Sequence, residues 1–137
     1  MIRLLAPFLA LSLTAATPAQ AAEQTISVAD FLALWESIDG AAIQKEIEET
    51  GTVDEAKHPS FARAIQLTRA TGLAYRERIK AERAAGTTPH SCLPEGEVNL
   101  DSDVVIPHLR SYAPDQRQKM TLTEAFAELM VKTYPCP

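Results

Sequence analysis

The chain has 137 residues, with 18 acidic against 13 basic side chains, a net charge of −5 and two cysteines. An acidic balance argues against nucleic acid or an anionic membrane surface as partner, since both are held by clustered positive charge. The length suits one domain with a single modest core.

Residues 1–21 read as a secretory signal. Arg3 supplies the positive start, LLAPFLALSL the apolar region, and Ala19-Gln20-Ala21 a small-residue cleavage site. The apolar run is about ten residues, against the roughly 18 or more that a spanning helix needs, so cleavage before Ala22 is expected rather than anchoring. Beyond residue 22 no apolar stretch could cross a bilayer. Losing Arg3 leaves 12 basic against 18 acidic residues, net −6, and residues 22–137 form one expected helical domain.

Every strong hydrophobic period in that domain is helical. Ile26-Ser27-Val28-Ala29-Asp30-Phe31 has the form of a helix start: Ser27 caps, Asp30 takes the third helical position and Ile26 staples onto Phe31. Val28, Phe31, Leu32, Trp35 and Ile38 then recur at steps of three and four, one inward stripe that Gly40 ends. AAIQKEIEE is a short, mostly charged helix with Ile43 and Ile47 as its large apolar contacts, closed by Thr50-Gly51. From Pro59 to about Ala85 the composition is that of one long helix, with Phe61, Ile65, Thr68, Gly72, Tyr75 and Ile79 as the stripe. Gly72 costs roughly 1 kcal/mol there relative to alanine. It reads either as a point where another helix comes close or as a tolerated defect or break.

Gly86 ends that helix, and TTPHSCLPEGEVNL is an extended connection carrying Cys92. In DSDVVIPHLRSY, Val104, Val105 and Ile106 would suit a strand, but Pro107 removes a backbone donor. A short helix kinked or delayed at Pro107 is expected, presenting Val105, Leu109 and Tyr112. Ala113-Pro114 turns the chain. Thr121-Leu122-Thr123-Glu124 is a capping box that opens a helix burying Leu122, Phe126, Leu129 and Met130 and stopping before Pro135. The expected fold class is all-α, a small bundle of about four or five helices.

Cys92 and Cys136 both lie in the exported part, where oxidation is permitted and an even count favours pairing. The single intramolecular bridge they allow spans the 44 positions from 92 to 136, worth about 4 kcal/mol in the chain-entropy model. Free thiols or an intermolecular bond are the alternatives. His90 and Cys92 could contact one metal, with His58 and His108 elsewhere, but their spacing matches no zinc pattern and a bridge would remove the thiolate. The same loss undercuts a Cys–His nucleophile.

Glu46, Glu48 and Glu49 read as the solvated face of a helix rather than as acid–base carboxylates. Arg76, Arg78, Lys80 and Arg83, interleaved with Glu77 and Glu82, read as a salt-bridged exposed face rather than an anion site. Trp35 and Tyr75 lie in inward stripes and read as core, with anchoring of an interface as the alternative. No catalytic residue, metal or cofactor is assigned, and the expectation is a binding protein rather than an enzyme. The loops EETGTVDEAKHP and PHSCLPEGE are its candidate contact regions.

The segment from Cys92 to Pro137 resembles the C-terminal half of the Rap/Tai family of periplasmic type VI secretion immunity proteins. The pattern is Cys92 followed by Pro94 and Gly96, a short helix ending in Leu109 and Tyr112, then Pro114 and Arg117, and finally Tyr134-Pro135-Cys136. The additional cysteine pair that members commonly carry in the preceding helices is missing. The resemblance implies a small helical protein of the periplasm, often a homodimer, that binds and blocks an incoming cell-wall-degrading effector such as an amidase. A different class with the same export, size and single bridge is a general envelope protein such as a disulfide-linked acid-stress chaperone.

Overall fold

The computed structural model describes residues 26–137 apart from 97 and 99; the expected signal peptide lies outside the described residues. Among the described residues there are six α-helices: α1 (Val28–Glu36), α2 (Gly40–Thr50), α3 (Pro59–Ala84), α4 (Ser102–Arg110), α5 (Pro114–Lys119) and α6 (Leu122–Thr133). A 3-10 turn (Glu55–Lys57) leads into α3. None of these helices is long and apolar enough to cross a membrane.

The expected caps form. Ser27 Oγ accepts from the Asp30 amide at 3.0 Å, and Thr121 and Glu124 exchange both bonds of their capping box. The two N-termini also serve each other. Val28 N–H donates to Met120 O and Leu122 N–H to Ile26 O, each at 2.9 Å, which makes an isolated antiparallel bridge between Ser27 and Thr121. Each helix start thus satisfies a first-turn donor of the other, a group that helix geometry leaves without an intrahelical partner. At the far end of α3, Gly86 takes φ +71° while Thr87 N–H bonds Glu82 O and Gly86 N–H bonds Arg83 O, a Schellman ending.

Several sequence expectations shift. α1 stops at Glu36, and Gly40 opens α2 instead of closing α1. The reason is Asp39, whose carboxylate accepts from the Ala42 amide and caps a new helix. α4 starts at Ser102 and continues through Pro107 to Arg110, burying Val105, Ile106 and Leu109, while Tyr112 follows in the turn. Only the donor to the Asp103 carbonyl is lost there, at an exposed first-turn residue. After Ala113 the chain winds into α5, with Pro114 at a helix start that needs no amide donor. Six helices therefore stand where four or five are expected.

α3 buries Ala64, Leu67, Thr71, Tyr75 and Ile79. The expected stripe is correct for its last two members and one position off in the first half, where Phe61, Ile65, Thr68 and Gly72 are only half-buried. The helix runs unbroken past Gly72, and a Cβ built there would meet no atom within 4 Å. No close approach requires that glycine.

Two apolar clusters form the interior. The larger joins Val28, Phe31 and Leu32 of α1 to Ala64 and Leu67 of α3, with α4 and α6 closing over them. The smaller comprises Tyr75, Ile79, Phe126 and Met130, with Leu93 and Tyr134 packed against it. α3 and α6 run through both clusters.

Leu67 is buried, whereas Leu73 on the opposite side of α3 is 59% exposed. Leu67→Ala is therefore expected to lower unfolding free energy by about 2–5 kcal/mol in urea titrations, and Leu73→Ala to change it by less than about 0.5 kcal/mol. Gly72→Ala should raise it by about 0.5–1 kcal/mol, because the helical backbone loses its most flexible residue and the added methyl meets open space.

Candidate functional site

Cys92 and Cys136 form the disulfide, with Cα atoms 4.9 Å apart, so the alternatives of free thiols and intermolecular bonding give way to an intramolecular clasp. The strand of loop around it is fastened from both sides. Cys92 N–H donates to Tyr134 O at 2.9 Å, joining the loop to the tail in parallel with the sulfur bond. From α3, Arg83 donates to Leu93 O and Arg76 to Gly96 O, each at 3.0 Å. Glu82 accepts from the His90 amide at 2.7 Å and from Arg78 at 2.8 Å. That pairing, Arg78 first and the His90 amide next, holds the Glu82 carboxyl below the usual carboxylate range.

The arginines of α3 consequently divide into two groups. Arg78–Glu82 and Lys80–Glu77 are the surface pairs expected from their spacing. Arg76 and Arg83 instead reach loop carbonyls, which neutral acceptors in an irregular segment do not announce in a sequence. Tyr75 lies beneath them, its hydroxyl bonded to Ser91 Oγ at 2.8 Å and to Nδ1 of His90 at 2.9 Å. Ser91 is fully buried, so its hydroxyl serves the loop and has no access to a substrate. His90 and Cys92, the pair considered for a metal or a nucleophile, face separate bonds: the ring to Tyr75 and the sulfur to Cys136.

A second polar knot closes the α4–α5 corner. His108 Nε2 stands 3.0 Å from Ala125 O and 3.0 Å from the Tyr112 hydroxyl, and Tyr112 donates to Glu128 at 2.6 Å. A carbonyl can only accept, so Nε2 carries the proton in this arrangement. Burial, and next the carboxylate of Glu128, push the Tyr112 phenol well above its ordinary pKa. Arg117 Nε donates to Tyr112 O at 2.7 Å. Tyr112 and Arg117 are thus joined through the Tyr112 carbonyl.

The third knot holds α2. Glu46 Oε1 meets Lys57 Nζ at 2.8 Å, and its Oε2 meets His58 Nε2 at 2.9 Å and the Asp54 amide at 3.2 Å. Its side chain is only 12% exposed, which corrects the expectation that Glu46 shares a solvated face with Glu48 and Glu49. Those two do face solvent. Lys57 above all, with the Asp54 amide and His58 adding to it against the opposing effect of burial, brings the Glu46 carboxyl down from its ordinary 4.5 to about 2. No sequence signal marks partners 11 and 12 positions apart across an irregular loop.

Ile43 beneath this knot is buried, while Ile47 one turn on is 40% exposed, so the expected pair of apolar contacts is only half used. Trp35 is half-buried and packs against the larger cluster, and Tyr75 is core as expected. Among the described residues, no group of three or more His, Cys, Asp or Glu side chains is gathered where it could hold a metal ion. No family model, curated protein or solved structure matches the chain.

The clasp closes 44 positions, so Cys92→Ser with Cys136→Ser is expected to lose about 4 kcal/mol of unfolding free energy in urea. The Glu46 knot fixes a sign with pH. A carboxyl whose folded pKa is depressed stabilises above its ordinary value of 4.5, and that stabilisation is lost as pH falls through about 2. Hydrogen exchange corrected for intrinsic rate should show residues 40–58 loosening over this window while the buried amides of α3 and α6 stay protected. Glu46→Gln should loosen the same residues at neutral pH.

Proposed function

We propose that this chain is an exported, non-catalytic binding protein of immunity type, which protects its producer by covering the active site of a cell-wall-degrading hydrolase. The observation that carries the reading is how the reactive side chains are used. All three histidines and both cysteines are engaged inside the molecule: His58 with Glu46, His90 with Tyr75, His108 with Ala125 and Tyr112, and the cysteines with each other. Groups held this way stiffen a scaffold, and a stiff scaffold suits a protein that works by presenting a surface.

The resemblance to the Rap/Tai family supports the same direction and narrows the partner class to a type VI amidase. Cys92, Gly96, Tyr112, Arg117, Tyr134 and Cys136 all sit at joints: the clasp, the Arg76 and Arg117 bonds, and the Cys92–Tyr134 backbone bond. The pattern therefore describes a frame. The partner face belongs to residues outside it. The periplasm is the compartment that a cleaved signal and an oxidised cysteine pair favour together.

One observation favours the acid-stress alternative enough to test it alongside. The α2 knot depends on a carboxylate that protonates only at strongly acid pH, and its release would uncover Ile43.

The mature protein, residues 22–137, should bind and inhibit any cell-wall hydrolase encoded beside it, with inhibition complete at about one equivalent if binding is tight. Absence of both binding and inhibition would end the immunity reading while leaving the fold untouched. Acid-induced dye binding that is reversible and protects client proteins near pH 2 would select the chaperone instead.

A further inference from the structure

The loop that carries Cys92 is held in place by bonds that do not involve sulfur. Glu82 accepts from the His90 amide, Tyr75 bonds the Ser91 hydroxyl, Arg83 donates to Leu93 O and Arg76 to Gly96 O. The residues on both sides of Cys92 are therefore fixed by α3. On the tail, Tyr134 N–H donates to Met130 O, and the Tyr134 carbonyl accepts from the Cys92 amide. Leu93 and Tyr134 also pack against the cluster of Tyr75, Ile79, Phe126 and Met130. Helices α3 and α6 thus set the place where the two Cα atoms stand 4.9 Å apart, within the range that a disulfide spans.

The body of the bundle draws on neither the loop nor the tail. All buried members of the larger cluster come from α1, α3, α4 and α6, and the bonds that Val28 and Leu122 exchange with Met120 and Ile26 involve no residue near the clasp. Cys92 and Cys136 are half-buried rather than enclosed. Access of that kind leaves a bridge open to exchange with a small thiol or disulfide.

We infer that the clasp is a redox-sensitive lock, which closes on a bundle already folded and whose state governs the order of residues 87–96 and 134–137. Closure needs a disulfide as oxidant. The thiolate of one cysteine attacks it, forming a mixed disulfide and releasing one reduced thiol; the second cysteine then attacks the protein sulfur of that mixed disulfide, forming Cys92–Cys136 and releasing the other. Two electrons pass to the oxidant, and the two cysteine protons end on the released thiols. A bridge that stabilises the folded chain over the unfolded one is favoured in the folded chain by the same factor. For a closure of 44 positions that factor is roughly 1,000. Oxidation thereby pins the PHSCLPEGE loop in one geometry, and reduction leaves it to its hydrogen bonds. This control of a surface loop is independent of the immunity reading.

The test compares residues 22–137 in the oxidised form and after reduction by dithiothreitol. Amide NMR shifts are expected to change at residues 87–96, 134–137 and their neighbours on α3 and α6, while Val28, Phe31 and Leu32 of α1 stay unmoved. A spectrum that collapses on reduction, or one that is unchanged in the loop, would overturn the lock. Glutathione redox buffers then give the equilibrium constant of the bridge. It should be roughly 1,000-fold larger in water than in concentrated urea; equal constants would overturn the preset geometry. Arg76→Ala with Arg83→Ala should lower the constant in water at least about fivefold, the effect of losing two hydrogen bonds, and leave the urea value as it is. A double variant with the wild-type constant in water would show that the arginines do not position the thiols, and would overturn the inference.

Discussion

The reciprocal hydrogen bonds between the starts of α1 and α6 are the constraint on which the bundle depends. α1 is nine residues long, shorter than a helix that holds itself in water. It is nonetheless the hub of the larger cluster, packed against α3, α4, α5 and α6. Val28 and Leu122 are both buried first-turn residues, and water cannot satisfy their amides. An unpaired buried amide costs about 1–3 kcal/mol. Exchanging bonds with Met120 and Ile26 removes that penalty at both ends together and sets the register of α1 on α6. Ser27 and Thr121, each a cap and each a partner in the bridge, do two jobs with one backbone geometry.

α3 extends this order to the part of the chain that has no regular structure. The loop after Gly86 can bury little apolar surface on its own. Its carbonyls and amides are collected by Arg76, Arg83 and Glu82 from one side and by Tyr134 from the other. The disulfide then removes much of the loop's freedom in the unfolded chain, where the benefit of a bridge chiefly arises in the entropic model. Sulfur bond and hydrogen bonds act on different states: one shrinks the unfolded ensemble, and the others fix the folded geometry.

Helix existence was legible wherever periodicity and a cap coincided, as at Ser27 and at Thr121. It was less legible where a tertiary partner decides the outcome. In α3 the large residues Phe61 and Ile65 suggested one stripe, but α1 and α6 approach over Ala64, Leu67 and Thr71. Ala64 and Thr71 are small, and periodicity read from bulk alone misses them. α5 was hidden behind Pro114, which signals a turn and a helix start equally well. The bridge followed from the even count of cysteines together with the expectation of export. The Glu46 knot did not follow from anything local, because an ion pair across a loop leaves no period, and its carboxylate is chemically indistinguishable from solvated neighbours two and three positions on.

The division of polar chemistry within the molecule sets α2 apart from the other helices. Across α3, α4 and α6 the polar groups that are buried are matched, with no buried side-chain polar atom left without a partner among the described residues. Such a body presents a nearly neutral exterior. The α2 region departs from that economy: its carboxylates outnumber its cations, and only Glu46 is drawn into a partly buried bond. Like charges held together raise the free energy of the folded state through mutual repulsion. The Glu46 knot carries the same logic inward. By anchoring one carboxylate to Lys57 and His58 it keeps the helix in place against the repulsion of the rest.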